Sequence, residues 1–286
     1  MIIRTRFKVT ADVLRELPNL RAIVTATVGF DHIDLAACAE RGVAVAHSPL
    51  AHADSAAELT WALLLTCARK IKQADAMARK SEWSRDSLMG FQLAGKTHGI
   101  IGLGRIGTRV ARMARGFGMN VVAHDPYRDN EWFKTHEAER VGLDELFHMA
   151  TTVSIHTPLT RETNGRIHRI HFDHLKADSI LINTARGGII KEDDLILHLK
   201  NKGPGHFGLD VFSQEPLRKG YDLLNFPQVV MTPHIGATTL EALEAVSFES
   251  ARNLVGLLTN GAVSGPLPPH EEWYQAVSGL AVSVGV

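Results

Sequence analysis

The 286-residue chain is predicted to be an α/β protein built on a doubly wound parallel sheet. Three observations predict it. Apolar runs of strand length alternate with helix-like segments. Residues 98–125, HGIIGLGRIGTRVARMARGFGMNVVAHD, read as strand, glycine turn, amphipathic helix, strand and terminal acid. Three later apolar runs each end in polar, loop-forming residues, where open parallel sheets bind ligands.

The elements follow in order. Met1–Thr5 is strand-like, and Ala11–Leu17 is a helix ended by Pro18. Ala22–Thr27 is a strand, Gly29-Phe30-Asp31 a turn, and Leu35–Arg41 a helix stopped by Gly42. Val43–Ala46 is a strand closed by Ser48-Pro49. Ala, Leu, Glu and Lys dominate Ser55–Ala78, which predicts one long helix. After the glycine turn and its flanking strands, 141–150 is helical and Thr152–His156 a strand ending at Thr157-Pro158. Ser179–Asn183, His206–Val211 and Val229–Thr232 are strands, the last stopped by Pro233. Asp193–Lys200 and Leu240–Leu258 are helices, and the Pro- and Gly-rich tail after Gly261 is expected to be extended.

Composition removes several function classes. Lys+Arg and Asp+Glu are both 31, so no basic surface suggests nucleic acid. The longest apolar stretch, around Trp61–Ala68, is too short for a bilayer, and no signal peptide is read at the start. Cys38 and Cys67 show neither metal spacing nor a disulfide framework, so a reducing cytoplasm and no metal site are expected. There are 15 histidines, so no histidine gains a role by its presence.

The glycine turn carries the first chemistry. Gly102 permits the tight turn, Gly104 lets a pyrophosphate approach the backbone, and Gly107 lets helix and strand pack closely. The helix N-terminus faces the phosphates. Asp125 follows Gly107 by 18 residues, placed to accept hydrogen bonds from an adenosine ribose and to repel a 2′-phosphate. The turn therefore predicts a dinucleotide site, and Asp125 predicts NAD over NADP.

The three polar strand ends are Asn183–Gly188, Asp210–Pro216 and Thr232–Gly236. They present Arg186, Glu215 and His234. A planar guanidinium matches a carboxylate or carbonyl pair, an imidazole exchanges protons near neutral pH, and a carboxylate orients that imidazole. Singly, each residue reads as an ordinary loop residue. Shared placement behind a nucleotide turn makes them a candidate catalytic set.

At these residues the chain resembles the D-2-hydroxyacid dehydrogenase family, and within it the phosphoglycerate dehydrogenase branch. Five segments match family motifs in order: Leu93-Ala94-Gly95-Lys96-Thr97 through Gly107, His156–Leu159, Asn183–Gly188, Asp210–Pro216 and Pro233–Ala237. The resemblance implies a Rossmann-type doubly wound domain inserted into a smaller flavodoxin-like substrate domain. It places the substrate domain at 1–49 and 238–286 and the NAD-binding domain at 50–237, with the active site in the cleft between them. It implies homodimerisation through the NAD-binding domain and a small 2-hydroxy or 2-keto acid as substrate. Arg186 binds substrate, Glu215 partners the histidine, and His234 is the acid/base. The backbone of Val28 and Gly29 holds the substrate carboxylate. Arg105 and Ile106 reach the pyrophosphate through their backbone, Asp125 takes the ribose, and Thr184, Asp210 and Gly236 lie toward the nicotinamide. His156, Thr157 and Pro158 line the cofactor.

Arg4 and Lys8 resemble the phosphoglycerate branch, where the arginine sits at the substrate phosphate. Thr25 stands where that branch has a second arginine, and Leu50-Ala51-His52 replaces an Asn-Gly-Asn turn. Thr25-Ala26-Thr27 and Asp31-His32 look more like erythronate-4-phosphate dehydrogenase. Family members also carry a further strand–helix–strand before the segment matching Ile2-Ile3-Arg4. The substrate domain is thus expected to be shortened, with a truncated gene model the favoured cause. The same motifs occur in NAD(H)-sensing corepressors that resemble the family, so a sensing protein and an inactive family member are the alternatives.

Overall fold

The first strands and helices arise where local signals place them. β1 (Ile2–Ile3), α1 (Ala11–Arg15), β2 (Ala22–Thr25), α2 (Leu35–Glu40) and β3 (Ala44–His47) follow in turn. The Thr10 hydroxyl caps α1 by accepting the Val13 amide, and the Asp34 carboxylate caps α2 through the Ala37 amide at 3.0 Å. The structure, a computed structural model, describes residues 1–4 and 7–267. Thr5, Arg6 and the tail from 268 onward lie outside the described residues.

The chain continues through α3 (Ala53–Ala68), α4 (Ile71–Arg79), β4 (Thr97–Ile101), α5 (Arg105–Gly116), β5 (Asn120–His124), α6 (Asn130–Thr135) and β6 (Glu139–Arg140). Then come α7 (Leu143–Met149), β7 (Thr152–Ile155), α8 (Arg169–Phe172), β8 (Ile180–Asn183), α9 (Glu192–Lys200) and β9 (His206–Leu209). β10 (Val229–Met231), α10 (Leu240–Thr259) and β11 (Pro266–Leu267) complete it. Two compact units result: Met1–Ser55 with Ala237–Val286, and Ala56–Gly236.

The single helix expected over Ser55–Ala78 is two helices. Lys70 adopts a left-handed conformation, φ 50°, which ends α3 and restarts the chain as α4. The end of α3 is also occupied from outside: the Phe91 amide donates to the Ala68 carbonyl at 3.2 Å. A Cβ on Gly90 would collide with that same carbonyl oxygen. Tertiary contact overrode a continuous helical composition.

The first unit holds a four-stranded sheet in the order β1-β2-β3-β11. β1, β2 and β3 are parallel, with Thr25 opposite His47. β10 was expected to be the last strand, but β11 pairs antiparallel with β3, Pro266 opposite Ala46. Ile3, Val9, Leu14, Ile23, Ile33 and Val45 form this unit's core. α10 contributes a buried polar strip instead: Asn253 donates to the His47 carbonyl at 2.9 Å, and Ser250 pairs with Ser48 at 2.9 Å. That strip holds the exit of β3 in place.

The second unit holds seven parallel strands in the order β10-β9-β8-β7-β4-β5-β6. Chain order reverses beside β4, which leaves a crevice beyond the carboxyl ends of β4 and β7. Neighbouring residues on β8 face opposite sides. Leu181 joins a core with Leu146, Phe172 and Phe207, while Ile180 and Ile182 join one with Trp61, Leu64 and Val110. Helices thus cover both faces of this sheet. Among the described residues no helix is long and apolar enough to cross a membrane.

Candidate active site

In the second unit, β4 runs into the glycine turn and α5 leaves it. Gly102 has φ 93°, which a side chain would strain. A Cβ on Gly107 would collide with the Gly102 carbonyl, so helix and strand pack at backbone contact there. Gly104 is different: a Cβ would meet nothing within 4 Å. Open space therefore lies over the backbone at the start of a 12-residue helix with no side-chain cap. Arg105 and Ile106 occupy its first turn. Beside the turn, Thr157 packs against Gly102, and its buried hydroxyl oxygen has no hydrogen-bond partner among the described residues. The open space at the helix start and the unpartnered Thr157 hydroxyl suit a dinucleotide pyrophosphate.

Asp125 closes β5 and accepts the Leu103 amide at 2.9 Å and the Tyr127 amide at 3.0 Å. Its carboxylate is fixed against the glycine turn, and it keeps further lone pairs for a ribose. A cavity of about 350 Å³ adjoins it, lined by His124, Asp125, Pro126, Arg140, Gly142 and Glu145 among others. His156 is turned inward: its Nε2 bonds the Ser154 hydroxyl at 2.8 Å, and burial with His98 nearby pushes it down to about 3. Pro158, exposed at the end of the same segment, accepts the Thr163 hydroxyl through its carbonyl at 2.6 Å.

The polar ends of β8, β9 and β10 lie along one rim. His234 Nδ1 bonds Glu215 Oε2 at 2.7 Å, with their side chains 41% and 34% exposed. His234 has φ 55°, a conformation that costs a non-glycine residue about 1 kcal/mol or more. Its amide is held by the Asp210 and Thr232 carbonyls at 2.9 and 3.0 Å. Burial raises the Glu215 carboxyl. The His234 bond, the Phe212 amide and the Arg186 charge outweigh that and leave it below its ordinary value. Arg186 is thus close enough to act on Glu215. Its loop is set by Asn183, whose side chain bonds the Arg186 carbonyl at 2.9 Å and the Ala185 amide at 3.0 Å.

Asp210 has a task that its sequence position does not reveal. Fully buried, its carboxylate accepts the Thr232 hydroxyl at 2.6 Å and the Ile235 and Gly236 amides at 2.8 and 2.9 Å. It clamps the loop that carries His234, and Gly236 is one of the groups clamped. Thr184 is likewise anchored, its hydroxyl 2.8 Å from that of Thr60 on α3. Asn183 opens the polar segment expected after β8, and its brace on the Arg186 loop follows from the fold, although an Asx residue ending a strand is a usable loop signal.

In the first unit, the loop after β2 turns its carbonyls inward. Ser48 N–H donates to Thr27 O at 3.1 Å, His47 Nδ1 to Val28 O at 2.7 Å, and the Thr27 hydroxyl to Gly29 O at 2.7 Å. The amides of Val28 and Gly29 have no partner among the described residues. Two adjacent free amides on a pinned loop suit an anion such as a carboxylate. Arg4 is exposed, yet its charge reaches His52. Burial lowers the His52 imidazole, with Glu249 raising and Arg4 lowering it further. Lys8 is exposed and makes no ion pair among the described residues.

Residues 61–236 match the family described as D-isomer specific 2-hydroxyacid dehydrogenase, NAD binding domain. The D-3-phosphoglycerate dehydrogenase of Methanocaldococcus jannaschii is 40% identical over 277 residues, covering 95% of this chain and 53% of the relative. The hydroxypyruvate reductase of Thermotoga maritima is 40% identical over 253 residues, covering 87% of this chain and 81% of the relative. The chain spans about half the length of the phosphoglycerate dehydrogenases it matches. Among solved structures, D-lactate dehydrogenase from Aquifex aeolicus, complexed with NAD and lactic acid, superposes with TM-score 0.83 at 31% identity. That match covers 91% of this chain and 82% of the other. With its parallel seven-stranded sheet, its open glycine turn and these relatives, the chain belongs to the D-isomer specific 2-hydroxyacid dehydrogenase family and carries that family's NAD-binding domain.

Proposed function

We propose that the protein interconverts a D-2-hydroxy acid and its 2-keto acid with NAD(H). The Glu215–His234 bond, set beside Arg186 at the carboxyl rim of the NAD-binding sheet, carries this reading. Bound NADH supplies the hydride, and NAD⁺ accepts it in reverse. His234 gives a proton to the carbonyl oxygen as the keto acid is reduced and takes it back on oxidation. Glu215 orients the imidazole and stabilises its cation. Arg186 draws charge from the carbonyl and carboxylate oxygens. The Val28 and Gly29 amides receive the substrate carboxylate, and Arg4 and Lys8 favour a second, distal anion such as a phosphate. Thr157, Arg105 and Ile106 hold the pyrophosphate, and Asp125 the ribose.

The protein works as a homodimer in the cytoplasm on this reading. Ile71, Trp83 and Met89 of the NAD-binding unit are 52%, 73% and 71% exposed, large apolar side chains that a second copy would cover. Cys38 and Cys67 are both unpaired and buried, which suits a reducing compartment.

The test is NADH oxidation by purified protein against 3-phosphohydroxypyruvate, glyoxylate, hydroxypyruvate and pyruvate. Turnover on at least one is expected, fastest on 3-phosphohydroxypyruvate if Arg4 and Lys8 read a phosphate. NADH binding without turnover on any acid would overturn the catalytic reading and leave the sensing one.

A further inference from the structure

Glu192 opens α9 and is 7% exposed, with no cation paired to it among the described residues. A carboxylate so buried is costly unless donors satisfy it. Here three donors do. Ser213 N–H bonds Glu192 Oε1 at 2.6 Å, the Ser213 hydroxyl bonds Oε2 at 2.6 Å, and the Tyr221 hydroxyl bonds the same Oε2. All three come from the segment that contains Glu215.

The neighbouring peptide unit completes the link. Phe212 N–H, one residue before Ser213, donates to Glu215 Oε1 at 2.9 Å. The other oxygen of Glu215 receives His234 Nδ1. Gly187, next to Arg186, also lies so close that a Cβ would collide with the Phe212 carbonyl. The Phe212–Ser213 peptide is therefore held by Glu192 at its amide and packed against the Arg186 loop at its carbonyl. A charged acceptor holds amide and hydroxyl donors roughly twice as strongly as a neutral one, which explains an acid at this buried position.

We propose that Glu192 is a positioning residue: it fixes the Phe212–Ser213 peptide so that the Phe212 amide holds Glu215 toward His234. The proposal rests on the reading of His234 as the acid/base. Ser213 and Tyr221 act with Glu192 as the other two sides of the clamp. Misplacement of a catalytic group by about 1 Å costs roughly 100-fold in rate, so loss of the clamp is expected in kcat.

The experiment compares the full-length protein with its Glu192→Ala and Glu192→Gln variants. It measures kcat and KM against pH, NADH affinity, Tm, and the Glu215 carboxyl titration by carbon NMR. Glu192→Ala is expected to lower kcat about ten- to a hundredfold, with NADH affinity within about twofold. The Glu215 carboxyl should titrate higher than in the parent, because the Phe212 and His234 bonds that depress it are loosened. Glu192→Gln keeps one acceptor oxygen and should fall between. A folded Glu192→Ala variant with parental kcat and an unmoved Glu215 titration overturns the proposal. A lowered Tm with both unchanged overturns it too, since that is a merely structural role. If Glu192→Ala fails to fold, the same two readouts on Glu192→Gln decide. If the parent itself turns over no acid, the catalytic reading fails, and the Glu215 titration still tests the clamp.

Discussion

Two histidine regions of the NAD-binding unit show how surroundings assign chemistry to one side chain. His98 lies inside the sheet, fully buried between neutral partners: Nδ1 bonds the Thr152 hydroxyl at 2.7 Å and Nε2 the Ser154 hydroxyl at 3.0 Å. No carboxylate offsets its burial, which pushes its imidazole down to about 3. His234 lies at the rim, half-exposed, with Glu215 on Nδ1. The interior histidine stays neutral and knits β4 to β7. The rim histidine has a carboxylate to stabilise its cation and a face open to solvent, which is what proton exchange requires. Residue type was the same, and depth and partner charge made the difference.

The comparison is most severely tested at the rim. His234→Ala is expected to lower kcat by about a thousandfold while NADH binding stays within about threefold. Stopped-flow turnover and fluorescence titration measure the two. Parental turnover in that variant would remove His234 from the chemistry and the contrast with it.

The interior makes the opposite prediction, in stability rather than rate. His98 binds its proton in the unfolded chain near pH 6.5 but in the folded one only near pH 3. Its neutral form therefore contributes fully above pH 6.5, and stability is lost as pH falls below that value. The expected slope is about 1.4 kcal/mol per pH unit for one such group. Urea unfolding at pH 7, 6 and 5 should show a shallower acid-side loss in His98→Gln than in the parent, with little change in turnover at neutral pH. Equal slopes would mean that His98 does not carry the acid sensitivity of the sheet.

The smallest expected effect extends the comparison to a carboxylate. Asp125 is pinned by two amides at the same rim, yet is read as ribose-facing. Asp125→Ser should narrow the preference for NADH over NADPH by about tenfold, measured as a ratio of dissociation constants. An unchanged ratio would make Asp125 a brace for the glycine turn, as His98 is a brace for the sheet.

Much of this was legible in the residues alone, because the signals were local. The glycine turn, the strand runs and the polar segments that end them are read within a few residues, and parallel strands bring their carboxyl ends to one rim. On that rule alone Arg186, Glu215 and His234 fall on the same edge. What the tertiary structure alone decided depends on contacts between distant segments. The break at Lys70 follows from Phe91 taking the Ala68 carbonyl, and β11 exists because the chain returns to β3. Asp210 and Glu192 became loop clamps only when residues some twenty positions away supplied their donors. His98 became inert because β7, more than fifty residues on, set two hydroxyls against it. A sequence shows which groups can ionise or bond; folding fixes their depth and partners, and those set the energies.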